Sequence, residues 1–222
     1  MNQLIGDALP LALGIAISPI PVIATILMLL SPEARRTSIG FLLGWTAGII
    51  VAVVVFTLLS SILPAEQSDA TRIANALVKL VLGALLLLLA VRQWRGRPRG
   101  GAEPKLPKWM SAIDTMTAGR AALLAFALAA INPKNLLLAA SAGILLGQAA
   151  SAGAAVAAIA VFVVIAASTV AAPVVAYLAA SSRMTGVLES LRAWLVRNNT
   201  TIMTILLLVM GVSVIGKGIA AF

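Results

Sequence analysis

The sequence predicts an all-α integral membrane protein whose six transmembrane helices form two inverted three-helix repeats. Three observations predict this fold. Hydrophobic residues make up 61% of the 222 residues and charged residues 10%, whereas a soluble domain carries roughly a quarter charged residues. Apolar runs of about 20 residues, the length that crosses a bilayer core, occur six times along the chain. A proline motif in the first run has a counterpart in the fourth.

Polar connections divide the apolar sequence into six predicted spans. The spans cover residues 4–30, 39–63, 73–91, 121–146, 154–180 and 201–219. No Lys or Arg precedes the first run, which is longer than the core of a signal peptide, so we expect it to be retained. The longest connection lies between spans three and four. It divides the chain into a first repeat (1–92), a basic loop (93–120) and a second repeat (121–222).

Basic residues are distributed unequally between the two sides of the predicted bundle. The connections after spans one, three and five contain twelve Lys or Arg residues, whereas the other connections and both termini contain two, Arg72 and Lys217. Cytoplasmic connections carry the excess of Lys and Arg. This bias predicts a multi-pass protein of the inner (cytoplasmic) membrane with both termini outside and the basic loop in the cytoplasm.

The basic loop also contains a predicted surface helix. Its apolar residues recur at helical spacing beside two lysines: Leu106, Trp109, Met110, Ile113 and Met116, with Lys105 and Lys108. We expect this segment to lie at the membrane interface, with anionic lipid head groups as its partner. The alternative is a solvated linker. A net charge of +9 could indicate a nucleic-acid partner. We expect none, because the basic residues flank the spans, where anionic lipid is nearer.

An internal repeat relates the two halves. The sequence around Ser18-Pro19 aligns without gaps with that around Asn132-Pro133, at a constant offset of 114 residues. An odd number of spans separates the two motifs, so the copies are predicted to be inverted. Span two has Gly40, Gly44 and Gly48 at four-residue spacing, which permits close helix approach. These glycines pack either within the monomer or across a homodimer.

Prolines interrupt spans one and four at corresponding places. A proline inside a helix removes a hydrogen bond and clashes with the preceding turn, at about 3 kcal/mol or more, and the freed backbone groups cannot face lipid. Paired breaks in inverted halves are typical of the central binding site of a transporter. The alternative is that the prolines only kink two continuous helices. The predicted substrate-binding residues are Ser18, Pro19, Pro21, Asn132, Pro133, Lys134 and Asn135.

Lys134 is the most informative charge, because it lies well inside span four. An ammonium at the bilayer centre costs at least about 2.5–3.5 kcal/mol. We expect Asn132, Asn135 and a carbonyl freed at Pro133 to surround it, and an anionic substrate to be its partner. The alternative is that Lys134 extends its stem to an interface. Lys79, seven residues into span three, is predicted to reach an interface in that way.

The residues missing from the sequence exclude several kinds of chemistry. The sequence has no histidine to act as base for a serine nucleophile, and no cysteine or histidine as a soft metal ligand. A nucleophilic pair of Ser18 and Lys134 would require the two breaks to meet within hydrogen-bond reach. No glycine-rich phosphate loop is present. The seven acids fall near span ends or in connections: Asp7, Glu33, Glu66, Asp69, Glu103, Asp114 and Glu189. We therefore expect no enzyme activity, no cofactor, no metal site and no carboxylate relay for protons.

Four segments together resemble a known family. They are SPIPVIATILML, SPEARRTSIGFLLGW, KWMSAIDTMTAGR and INPKNLLLAASAG, and they resemble the GAP family, the peptidolipid- or sulfolipid-addressing proteins, of the LysE transporter superfamily. The resemblance covers nearly the whole chain. It implies export of glycolipids or lipopeptides from the cytoplasmic membrane toward the cell envelope.

Three functional hypotheses follow. The first is an exporter or flippase for a lipid with a polar, anionic head group that contacts Lys134. The second is an ion-coupled exporter of a small soluble solute such as an amino acid or peptide. The third is an accessory subunit that holds a lipid-processing enzyme at the membrane. A polar centre inside the bundle favours transport over the third hypothesis.

Overall fold

The computed structural model describes residues 2–62, 69–97, 110, 113 and 115–220. These residues form seven helices: α1 (Asn2–Ala16), α2 (Pro19–Leu29), α3 (Ala34–Ile62), α4 (Asp69–Arg95), α5 (Ala118–Ala130), α6 (Pro133–Leu146) and α7 (Ala152–Ile219). No strand occurs within those ranges. The all-helical class predicted from composition is thereby confirmed.

Four helical segments are long and apolar enough to cross a membrane alone: Ala34–Ser60, Ile73–Arg95, Ala152–Ala180 and Met184–Ile219. Two bent pairs, α1 with α2 and α5 with α6, raise the number to six if each pair is one span. The chain is a multi-pass membrane protein. The exact six-span inverted repeat stays a prediction.

Both predicted breaks are present. The axes of α1 and α2 differ by 52°, and those of α5 and α6 by 61°. In both cases a proline occupies the start of the second helix, where its missing N–H would have no partner anyway. The residue before it, Ser18 or Asn132, has an extended backbone, as a position before proline favours. The prolines therefore begin new helices rather than kink continuous ones.

The last helix differs from the prediction. Residues 181–200 were expected to form a connection, but α7 runs through them, and its two parts meet at Ala180, whose backbone is non-helical (φ −151°, ψ 51°). Leu188 and Leu195, seven residues apart on one helical face, are buried. This apolar stripe stabilises the helix, although Glu189 and Arg192 between them had indicated a loop. Within the second part, the 36-residue segment Met184–Ile219 is about 54 Å long at 1.5 Å per residue, well beyond the thickness of one bilayer core.

Glycines set the closest helix contacts. A Cβ atom at Gly40 or Gly44 would overlap the carbonyl oxygen of Ala118 or Ala122, so α3 and α5 pack backbone to backbone. The glycine ladder of α3 therefore lies inside the monomer. Likewise α4 lies against the second part of α7, where a Cβ at Gly83 would come within 2.9 Å of the Gly211 carbonyl oxygen.

Side chains from the basic loop complete one end of the core. Met110 and Ile113 are buried in it, and Met116 packs against it, so these residues contact protein rather than lipid. Their predicted neighbours Lys105, Leu106, Lys108 and Trp109 lie outside the described residues. The surface helix as a whole, and the division at 92 and 120, stay predictions.

Candidate site at the two helix breaks

Lys134 joins the two broken spans. It is the second residue of α6 and is 3% exposed, and its Nζ donates a hydrogen bond of 2.8 Å to the carbonyl oxygen of Gly14 in α1. Among the residues that the structure describes, no carboxylate pairs with this ammonium. The two motifs of the repeat are therefore in direct contact. The alternative that the Lys134 side chain extends to the membrane interface is wrong, because its Nζ is buried inside the helix bundle.

The break at Ser18 makes the Gly14 carbonyl available. In a continuous helix the Ser18 N–H would donate to Gly14, four residues earlier. Here the Ser18 N–H donates to Ala16 at 2.8 Å instead, which leaves the Gly14 oxygen for Lys134. The acceptor expected at Pro133 is thus replaced by one in the other half of the chain.

The second break shows the same arrangement. The Leu128 carbonyl, four residues before Asn132, accepts a hydrogen bond of 3.0 Å from Asn135 Nδ2. Gly14 and Leu128 are themselves 114 residues apart, so they occupy equivalent positions of the repeat. Two neighbouring side chains at the start of α6 therefore satisfy both equivalent carbonyls.

The other predicted site residues shape the breaks. Asn132 Oδ1 caps α6 by accepting the Lys134 backbone N–H at 3.0 Å. Ser18, Pro19 and Pro21 are buried at the start of α2, and the Ser18 side chain forms no capping hydrogen bond. Pro133 is exposed at the surface of the bundle, so it determines where α6 begins and lines no cavity.

One buried polar atom at the site has no partner. Asn135 is 1% exposed, and its Oδ1 accepts no hydrogen bond from the described residues. A buried amide oxygen without a donor is uncommon in folded proteins and points to a strained or functional position. It lies on the residue that follows Lys134, so an acceptor and a cationic donor are adjacent in α6.

Two participants were absent from the sequence prediction. Gly14 has no polar side chain and acts through its carbonyl. Thr169, in the first part of α7, donates from Oγ1 to the Ala16 carbonyl oxygen at 2.6 Å and so ties the first break to a third element. The pair Ser168-Thr169 within an apolar run was the available signal for Thr169.

The arrangement favours anion binding over metal chemistry. An ammonium has three donors, and the described contacts of Lys134 Nζ use one of them. Two donors of the enclosed ammonium therefore have no acceptor among the described residues. No group of three or more acids that could hold a metal ion occurs within the described parts of the chain.

Comparison with known proteins identifies a family match. The family model described as "Sap, sulfolipid-1-addressing protein" matches residues 8–220, a range that includes both breaks and every residue of the site. Neither the curated proteins nor the solved structures contain a match to the chain.

Proposed function

The chain belongs to the family of sulfolipid-1-addressing proteins, and from this membership we propose that it exports or flips a lipid with a polar, anionic head group, such as a sulfated glycolipid or a lipopeptide, toward the cell envelope. The observation that carries the proposal is the buried Lys134 ammonium, which is held by a single backbone carbonyl of the opposite repeat. The proposed membrane is the cytoplasmic one, with both termini outside.

In the proposed mechanism the head group replaces the Gly14 carbonyl on Lys134. A charge-assisted hydrogen bond to an oxyanion is roughly twice as strong as one between neutral groups, so an anion competes well with a neutral carbonyl. Once the contact is exchanged, the hydrogen bond between α6 and α1 is lost, and the two broken spans rearrange against their remaining apolar contacts. The lipid tails stay in the bilayer throughout.

The remaining site residues are proposed to shape the passage. Ser18 and Asn135 line it with polar atoms, Asn132 fixes the start of α6, and the prolines maintain the two breaks. No chemical conversion of the substrate is proposed, since Lys134 Nζ donates to a carbonyl rather than to a nucleophile. Anionic head groups at the basic loop and a homodimeric assembly are further proposals, as is membership of the LysE superfamily.

The unpartnered Asn135 Oδ1 favours a second candidate, an ion-coupled exporter of a small soluble solute. An amide oxygen is a ligand for sodium, and freed carbonyls near a helix break supply others. This candidate predicts that export depends on a sodium gradient, whereas exchange of the Lys134 contact by a lipid head group requires none.

The test is lipid mass spectrometry of envelope fractions from a strain that lacks the protein. We expect an anionic glycolipid or lipopeptide to disappear from the outer fraction and to accumulate in the cytoplasmic membrane, and re-expression of the chain to restore it. An unchanged lipid profile, together with altered tolerance to an amino acid or peptide, would refute the lipid proposal in favour of the second candidate.

A further inference from the structure

A cleft at the end of the protein that carries both termini contains two further lysines. The cleft is narrow and open on one side, with a cavity volume of about 10 Å³, and it is formed by α1, α4, α6 and the second part of α7. The lining residues are Leu11, Lys79, Ser141, Leu145, Ser213, Val214 and Lys217. None of them is among the residues predicted to bind substrate. Lys79 was predicted to extend to an interface, but it lies on the wall of this cleft.

Among the described residues at the cleft, lysines outnumber carboxylates. Lys217 Nζ donates to Asp7 Oδ1 at 2.9 Å and to the Asp7 carbonyl oxygen at 2.8 Å, so this lysine is neutralised by one carboxylate. The ammonium of Lys79 has no hydrogen bond or ion pair with any described residue. Two ammonium groups therefore share a single carboxylate, and one positive charge is left over.

The other lining groups match a head group attached to an apolar body. The Ser213 hydroxyl, in α7, forms no hydrogen bond with the described residues. The Ser141 hydroxyl donates to the Leu137 carbonyl oxygen at 2.8 Å and keeps acceptor capacity. Leu11, Leu145 and Val214 supply apolar walls. Ammonium and hydroxyl donors with apolar walls are the surroundings that a sulfate or phosphate ester on a lipid or sugar requires.

The cleft and the buried lysine lie on one helical face. In α6, Lys134, Leu138 and Ser141 are related by steps of four and three residues and so point the same way. Leu138 is fully buried beside Gly14: a Cβ at Gly14 would lie 3.0 Å from Leu138 Cδ1 and 3.3 Å from Met210 Cγ. These two apolar side chains therefore pack against Gly14, whose carbonyl holds Lys134.

We propose that this cleft is a second anion site, which receives the sulfate or phosphate ester head group after it leaves Lys134 and passes Leu138 and Met210. The order of the two sites rests on the proposed function, whereas the anion affinity of the cleft does not. Lys79 is the residue that makes the cleft cationic, and Ser213 contacts the ester oxygens.

The absence of cysteine from the chain permits a direct test in proteoliposomes of neutral lipid. In Ser213→Cys, the rates of modification by an anionic and a cationic methanethiosulfonate are compared. We expect the anionic reagent to be favoured at least about tenfold, as for a cleft lined by one sign of charge, and Lys79→Gln to remove this preference. Ile219→Cys, at the same end of α7 but exposed, is the control and should show no preference. Leu145→Cys replaces Ser213→Cys if that variant does not fold.

The source of the anion is tested by protection. Sulfated galactosylceramide in the bilayer should slow modification of Ser213→Cys, whereas uncharged galactosylceramide should not. Protection by inorganic sulfate alone would overturn the lipid assignment, and no charge preference, or no reaction with either reagent, would overturn the site. Lys134→Met should leave the charge preference intact. If export depends on Lys134 but the cleft shows no charge preference, this inference fails and the proposed function stands. If the cleft shows the preference but export does not depend on Lys134, the proposed function fails and the anion site stands.

Discussion

Replacement of Lys134 by Met separates the charge of this residue from its structural role. The change removes an ammonium whose placement in a membrane costs about 2.5–3.5 kcal/mol, and it removes a hydrogen bond to a charged group, worth about 1.5–3 kcal/mol. That bond is the 2.8 Å contact with Gly14. The two contributions oppose each other and differ by at most about 2 kcal/mol, so the free energy of unfolding should change by no more than that amount, a Tm shift of at most about 4–8 °C for a chain of this size. Export should nevertheless collapse.

Two further substitutions distinguish an anion site from a tether. Lys134→Gln keeps a donor for the Gly14 carbonyl without the charge, and we expect export to be lost. Lys134→Arg keeps the charge, but its planar fork fits poorly in the space of a compact ammonium, so partial export is expected. The assay is the anionic lipid recovered in the outer envelope, normalised to protein in the membrane. Arg197→Met, which removes an exposed charge, is the control. Full export by Lys134→Met would refute a role of Lys134 in export. Full export by Lys134→Gln would show that only the hydrogen bond to Gly14, and not the charge, is needed.

Three other predictions follow from the packing and the topology. Gly44→Ala should lower the free energy of unfolding by about 1–3 kcal/mol, because the new Cβ would overlap the Ala122 carbonyl oxygen. Gly119→Ala, whose new Cβ would meet nothing within 4 Å, should leave it unchanged. Equal melting temperatures of the two variants would contradict the close packing of α3 on α5. Thr169→Val should lower the free energy of unfolding by about 1 kcal/mol, because the hydrogen bond to Ala16 is lost. Ser168→Ala removes an exposed hydroxyl and should have a smaller effect. An equal effect of the two would exclude a special role for Thr169. Ala220→Cys should react with an impermeant thiol reagent in intact cells and Gly96→Cys only after lysis, and the opposite pattern would invert the assigned orientation.

The helix breaks and the buried lysine could be predicted from sequence because proline chemistry is local. Pro19 and Pro133 cannot donate a backbone hydrogen bond, whatever surrounds them. The Lys134 acceptor is different, because Gly14 is 120 residues away along the chain. The sequence did contain a signal, since the carbonyl four residues before a break always loses its partner. It could not show which side chain would replace that partner.

The errors in the prediction have a common cause, which is burial by tertiary contacts. The charged segment 181–200 was expected to be a loop, yet Leu188 and Leu195 are buried against apolar residues and the helix continues through it. Met110 and Ile113 were expected to face lipid, and they pack into the core. Lys79 and Lys217 are 138 residues apart in sequence, so no local pattern could place them on one cleft.

The two equivalent carbonyls have a consequence for biogenesis. The positions of the first repeat that correspond to Lys134 and Asn135 are Ile20 and Pro21, which have no side-chain donor, so the first repeat cannot satisfy its own break. Until α6 enters the membrane, the Gly14 carbonyl lacks a protein partner at a depth where unpaired groups cost several kcal/mol. The second repeat, inserted alone, would carry an ammonium without its acceptor. We therefore expect the nascent chain to become a stable membrane protein only when the second repeat docks on the first.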